Sequence, residues 1–301
     1  MRWWCVAVDE PWSWAPRPYF GVWAMCLAIV GWYAVSIKRH GGSVSRKQVV
    51  WFALGLLFLW MASDWPVGSL GAGYLASIHM LQYMLYTLAA APLLMLGTPD
   101  WMFERLLRRR FAEHSVEVLS RPVVAGILFN IVLVATHAPV TVDSLRTTQV
   151  GNFVLDMIWL ASGFLLWLPV ISPAKRFRAS SAGARIVYLF LAAALIPMIP
   201  GGFVAFSPQP LYATYELAPR LSIDGPSALG DQQMAGVLMK VGNVPIIWAV
   251  MAVIWFRWYD NEQRRSRDER LARQRTPLTD GSGRRPTPDR AVPPAGAAPL
   301  R

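Results

Sequence analysis

Apolar residues fall in seven long blocks along the chain, at roughly 19–37, 49–65, 74–97, 122–138, 151–171, 185–206 and 233–257. Each block is near the ~20 residues that a helix needs to cross a bilayer. The pattern predicts an all-α polytopic membrane protein, a bundle of seven transmembrane helices. An N-terminal segment, 1–18, precedes the membrane domain, 19–258. A charged tail, 259–301, follows it, and its Pro-, Gly- and Arg-rich end, 276–301, reads as disordered.

The polar positions between the blocks set the orientation. The 38–48 loop carries Lys38, Arg39, Arg46 and Lys47, and the 98–121 loop carries Arg105, Arg108, Arg109, Arg110 and Arg121. The fifth loop and its edge carry Lys175, Arg176, Arg178 and Arg185. The intervening loops are nearly bare: none in 66–73, only Arg146 in 139–150 and only Arg220 in 207–232. Basic loops stay on the cytoplasmic side, so the N-terminus is expected outside and the C-terminus in the cytoplasm. The same asymmetry accounts for the net charge of +11 without nucleic acid as a partner. Residues 1–18 lack a basic start followed by an apolar run, so no cleavable signal is expected there. Cys5 and Cys26 are too few for a disulfide framework.

Local signals add detail. Thr98-Pro99-Asp100 reads as a helix start with Thr98 as the capping hydroxyl. Trp101, Leu106, Leu107 and Phe111 among arginines then predict a short amphipathic helix on the cytoplasmic interface. Pro92, Pro245 and the run Ile196-Pro197-Met198-Ile199-Pro200-Gly201-Gly202 predict kinks or breaks in three spans.

Polar groups inside apolar spans are costly, and they mark candidate chemistry. The third span carries His79, Gln82 and Tyr83 on one helical face. At ~1.5 Å per residue, His79 and Asp156 lie about 8 Å in from the outer side and Lys240 about 10 Å in. His137 lies just inside the same boundary, and Met234 at the mouth of the last span. Imidazoles, a carboxylate and thioether sulfur together suit copper. The plainer alternatives are packing for the methionines, an interhelical hydrogen bond for His79, and a mutual Asp156–Lys240 ion pair. Lys240 in a seventh helix also allows a retinal-type pigment, the two histidines allow haem, and the polar layer allows a scaffold or transporter without metal.

Three stretches resemble the CtaG-type cytochrome c oxidase assembly family, of which the chain looks like a divergent member. Ser77-Ile78-His79-Met80-Leu81-Gln82-Tyr83-Met84-Leu85, followed by Ala91-Pro92-Leu93-Leu94-Met95-Leu96-Gly97-Thr98-Pro99, is similar to its third-span pattern. Phe129-Asn130 to His137-Ala138-Pro139 resembles its fourth span, and Asp231-Gln232-Gln233-Met234-Ala235-Gly236-Val237-Leu238-Met239 its last. The resemblance implies a non-enzymatic assembly factor in the bacterial plasma membrane. Its partners would be haem–copper oxidase subunits, the lipid bilayer and a copper chaperone. Copper would be handled near the extracytoplasmic face. His79, His137, Met234 and Met239 carry over as metal candidates, and Tyr83 and Asp156 as altered ligands. Tyr83, Asn152 and Asp156 stand where the family has histidines, and Lys240 at a Trp-like position.

Overall fold

A computed structural model describes residues 2–108, 110–222 and 225–275. The predicted disorder of 276–301 falls outside these residues. The described chain is helical: α1 (Phe20–His40), α2 (Arg46–Ser63), α3 (Val67–Gly73), α4 (Ala76–Met84), α5 (Ala91–Gly97), α6 (Asp100–Leu106) and α7 (Arg110–Leu119). These are followed by α8 (Pro122–Thr136), α9 (Pro139–Leu145), α10 (Gln149–Ile171), α11 (Ala182–Leu189), α12 (Met198–Phe206), α13 (Ala213–Glu216), α14 (Ala228–Val237) and α15 (Val244–Arg275). Among the described residues, five helical runs are long and apolar enough to cross a membrane, and up to seven if each bent pair is one span. The bent pairs are α2 with α3, at 43°, and α7 with α8, at 84°. By internal packing the chain divides into one unit, Met1–Phe256, and a second, Arg257–Arg301.

The third span, Ala76–Gly97, is the centre of the bundle: 72% of its apolar window is buried, against 17% for α1. The difference follows from side-chain size. The third span brings small Ala76, Ala90, Ala91 and Gly97 to its neighbours, whereas α1 turns Trp23, Leu27 and Val30 outward. With no water to expel between helices in lipid, close packing and interhelical hydrogen bonds hold such a bundle. At one crossing the backbones nearly touch. A Cβ on Gly236 of α14 would come within 2.3 Å of the Ala205 nitrogen of α12, so no larger side chain fits there.

Three of the prolines named above, Pro92, Pro197 and Pro245, follow a π-helical turn. Leu85–Ala90 precedes Pro92, Phe190–Leu195 precedes Pro197, and Leu238–Gly242 precedes Pro245. A proline has no N–H, and its ring collides with the carbonyl four residues back. One extra residue in the turn moves that carbonyl aside, leaving it in need of a donor. In the first two turns neighbouring side chains supply one. Trp167 Nε1 donates to Thr87 O (2.8 Å), Asn130 Nδ2 to Ala192 O (3.0 Å), and Asn243 Nδ2 to Ala193 O (2.5 Å). Two of the three interrupted helices thus have loosened carbonyls paired inside the protein, which is how such backbone survives at membrane depth. Asn130→Leu, which keeps the branched shape, is expected to cost about 1–3 kcal/mol by orphaning Ala192 O. Thermal unfolding in detergent would read this as a lowered Tm.

Two expectations are corrected here. Thr98 does not cap the following helix; its hydroxyl donates back to Leu94 O (2.8 Å), and Pro99 takes the cap position. The single amphipathic helix is two, α6 and α7, because the chain turns after Leu106. Leu107 is buried there while Phe111 is exposed.

The N-terminal segment is not a free arm. Trp4 is fully buried and packs edge-on against Phe153. Trp3 N and Trp4 N both donate to Gln149 Oε1 (2.7 and 3.2 Å), and Ala7 N donates to Arg146 O (2.9 Å). Farther along, Glu10 accepts from Arg2 and Arg17 (2.9 and 3.0 Å), and those bonds lower its pKa.

Candidate functional site

Acidic side chains first fix the ends of the helices that carry the candidate groups. Asp231, in the first turn of α14, accepts from Ala76 N (2.5 Å), from Ser77 N and from the Ser77 hydroxyl. It therefore caps α4 from another helix, and His79 sits one turn further in. Gln232 Oε1 accepts from Leu211 N (2.6 Å), which holds the 207–211 segment against the same end of the bundle. Asp143 accepts from Ala213 N (3.2 Å) and Thr214 N (2.9 Å), capping α13. Two tyrosines of this region then reach inward. Tyr212 Oη donates to His137 O (2.9 Å), and Tyr215 Oη bonds to Gly71 O (2.6 Å) and lies 2.7 Å from His79 Nδ1.

The histidines meet. His79 and His137 have ring centroids 5.3 Å apart, nearly perpendicular. His137 stacks on Trp159 (5.6 Å, 20°), and Tyr83 meets His137 edge-on at 4.8 Å. His137 closes α8, where its Nδ1 donates to Leu133 O (2.8 Å). A carbonyl only accepts, so the proton of the neutral ring sits on Nδ1 and Nε2 keeps its lone pair. Nε2 is buried with no hydrogen-bond partner. His79 and His137 line one small cavity with Met80, Met239, Tyr212 and Tyr215. Its volume is about 20 Å³, room for one water or small ion. Tyr83, with Met80 and Met239, lines a second such cavity beside it. A wider cleft of about 220 Å³, passing Pro139, Pro200 and Phe203, reaches His137 and Met239 from the side.

The remaining candidates part from this group. Asp156 is fully buried but engaged elsewhere: its Oδ2 accepts from Trp4 Nε1 (2.8 Å), and its Oδ1 faces Arg146 Nη1 at 3.8 Å. The expected Asp156–Lys240 ion pair is therefore not formed. Lys240 Nζ lies over the Phe206 ring, 5.0 Å from its centroid. Equal depth does not bring two groups together when their helices turn different faces to one another, and Lys240 lies in a π turn that rotates everything after it. Met234 is 55% exposed and stands outside the histidine cluster, whereas Met239 is buried within it.

Arg146 is the group that sequence reasoning missed. It is the lone basic residue of a sparse loop, counted above only for orientation, yet it is completely buried. Nη1 donates to Asn152 Oδ1 (2.5 Å) and Nη2 to Gln82 Oε1 (3.2 Å), with His79 Nδ1 3.0 Å from Nη2. The guanidinium also stands 5.0 Å from the Trp159 ring centroid. Asn152, at a position where the family resemblance expects histidine, is thus the partner that seats Arg146.

A family model described as "Cytochrome c oxidase caa3 assembly factor (Caa3_CtaG)" matches residues 28–261. The chain belongs to this family. The Caa3_CtaG match covers the whole histidine cluster and nearly all of the membrane domain. No curated protein and no solved structure matches the chain. Much of the Caa3_CtaG-like motif content is structural: Asp231 and Gln232 clamp helix and loop, and Asn130 pairs a π-turn carbonyl. Among the described residues, no three His, Cys, Asp or Glu side chains gather as a metal site. What does gather is two imidazoles with two thioethers, a soft set that suits cuprous copper better than a hard divalent ion.

Proposed function

We propose that the protein supports maturation of a haem–copper cytochrome c oxidase by holding copper transiently, as cargo, between His137, His79 and Met239. Met80 lines the same space. One observation carries the reading: a buried imidazole nitrogen, His137 Nε2, with its lone pair free and a second imidazole and a thioether beside it. A buried polar atom without a partner costs about 1–3 kcal/mol, and a cation bound there would remove that cost. Nδ1 donating to a backbone carbonyl is also how a metal-ligating histidine is commonly oriented. Asp156 and Met234 are left out of the set, the first because Trp4 and Arg146 engage it, the second because it is exposed.

In this reading the histidine end of the bundle faces the extracytoplasmic side of a bacterial plasma membrane and the C-terminus the cytoplasm, an orientation supported by the excess of Lys and Arg in alternate loops. The lateral cleft past Pro139 and Phe203 gives an oxidase subunit or a copper chaperone access to His137 and Met239. No catalytic turnover is involved.

A second reading, a scaffold or transporter whose polar layer binds no metal, draws on Arg146, a fixed cation beside His79. Gene deletion followed by complementation separates the two. Deletion is expected to remove the copper-dependent oxidase signal from membranes. Wild type should restore it and His137→Ala should not. Full rescue by His137→Ala would favour the scaffold, and unchanged oxidase in the deletion strain would refute the assembly role.

A further inference from the structure

The two histidines of the cavity are not equivalent. His137 is committed: its Nδ1 faces the Leu133 carbonyl, which fixes the proton there and leaves Nε2 free. His79 is contested. Its Nδ1 has Arg146 Nη2 at 3.0 Å and Tyr215 Oη at 2.7 Å. Arginine can only donate, while a tyrosine hydroxyl can donate or accept.

Two arrangements follow. In the first, Nδ1 accepts from Arg146 and the ring proton sits on Nε2. Tyr215 then competes for the same lone pair, or turns its proton to Gly71 O and sets its oxygen against that lone pair. In the second, Nδ1–H donates to Tyr215 Oη, Tyr215 donates to Gly71 O, and Nε2 is free as a donor atom. Arg146 then keeps Gln82 Oε1, Asn152 Oδ1 and the Asp156 carboxylate as its partners. Each arrangement leaves one close contact unsatisfied. Neither is therefore locked, and small changes shift the proton between the ring nitrogens.

We propose that Tyr215 is the positioning residue that sets the tautomer of His79 against Arg146, and so decides whether Nε2 can serve as a metal donor. The role rests on the copper reading above. Tyr215 does not itself hold the metal; it acts through His79, as the hydrogen-bond partner of a ligating histidine usually does.

The test compares Tyr215→Phe with Tyr212→Phe. Both remove one hydroxyl from the same region, but Tyr212 bonds only to the His137 backbone oxygen. Purified, metal-free protein with ¹⁵N-labelled histidine is examined by NMR, and Cu(I) affinity is measured by competition with a chromogenic chelator. Tyr215→Phe is expected to move His79 fully to the Nε2–H form, leave His137 as Nδ1–H, and weaken Cu(I) binding about 10–100-fold. Tyr212→Phe should leave both tautomers and the affinity near wild type. An unchanged His79 tautomer in Tyr215→Phe, or an equal change in Tyr212→Phe, overturns the proposal. If the tautomer moves but wild type holds no Cu(I), the copper reading falls while the assignment of Tyr215 to the His79 proton stands.

Discussion

Arg146→Met is expected to lower the stability of the bundle by about 3–5 kcal/mol, the usual cost of removing one partner from a buried charge pair. Methionine is flexible and fills the volume, so the loss is electrostatic and not a cavity effect. Asp156 would remain buried without its cationic partner, keeping the bond from Trp4 Nε1. Asn152 Oδ1 and Gln82 Oε1 would lose their guanidinium donors as well. The signature is in the rescue. Asp156→Asn in the Arg146→Met background removes the stranded charge and keeps an acceptor for Trp4, so it should recover more than half of the loss. Chemical unfolding in detergent of the two single variants and the double variant gives the coupling energy. Additive losses would mean that Arg146 serves the fold without regard to Asp156.

The second large effect concerns the cavity. His137→Ala is expected to abolish tight Cu(I) binding, because it removes the nitrogen already freed for ligation. Met239→Leu keeps the packing volume and removes only the sulfur. It should weaken Cu(I) by an order of magnitude or more, since thioether donors select the cuprous state. Met234→Leu should change nothing measurable, because Met234 is exposed and apart from the cluster. A binding loss on Met234→Leu equal to that on Met239→Leu would place the metal at the mouth of the last span and contradict the assignment.

Much of this architecture can be read from the chain because lipid imposes a hard rule: a crossing helix must be long and apolar, and a polar group within it is conspicuous. His79 and His137 stand out on that ground alone, and the structure brings them together. Prolines announce the interrupted helices, though not that Trp167, Asn130 and Asn243 would serve the loosened carbonyls. Arg146 escapes notice because a basic residue outside the apolar blocks looks solvated; nothing in spacing tells that the loop folds it inward. Trp4 is hidden for the same reason, as it sits in a segment with no helical pattern. The Asp156–Lys240 pairing fails on geometry: rise per residue gives depth, but the direction a side chain faces depends on packing and on the extra residue of each π turn. Tyr215 has no signal in the sequence at all. Its place over His79 depends on Asp143 capping α13.

In the proposed function two imidazoles and a thioether in the small cavity hold a single copper ion. X-ray absorption at the copper edge, on purified protein loaded with Cu(I), reads the ligand atoms directly. One retained copper with nitrogen and sulfur in the same shell is expected, with loss of that signal in His137→Ala. A shell of nitrogen and oxygen alone, a shell of sulfur alone, or copper retained unchanged by His137→Ala would contradict it.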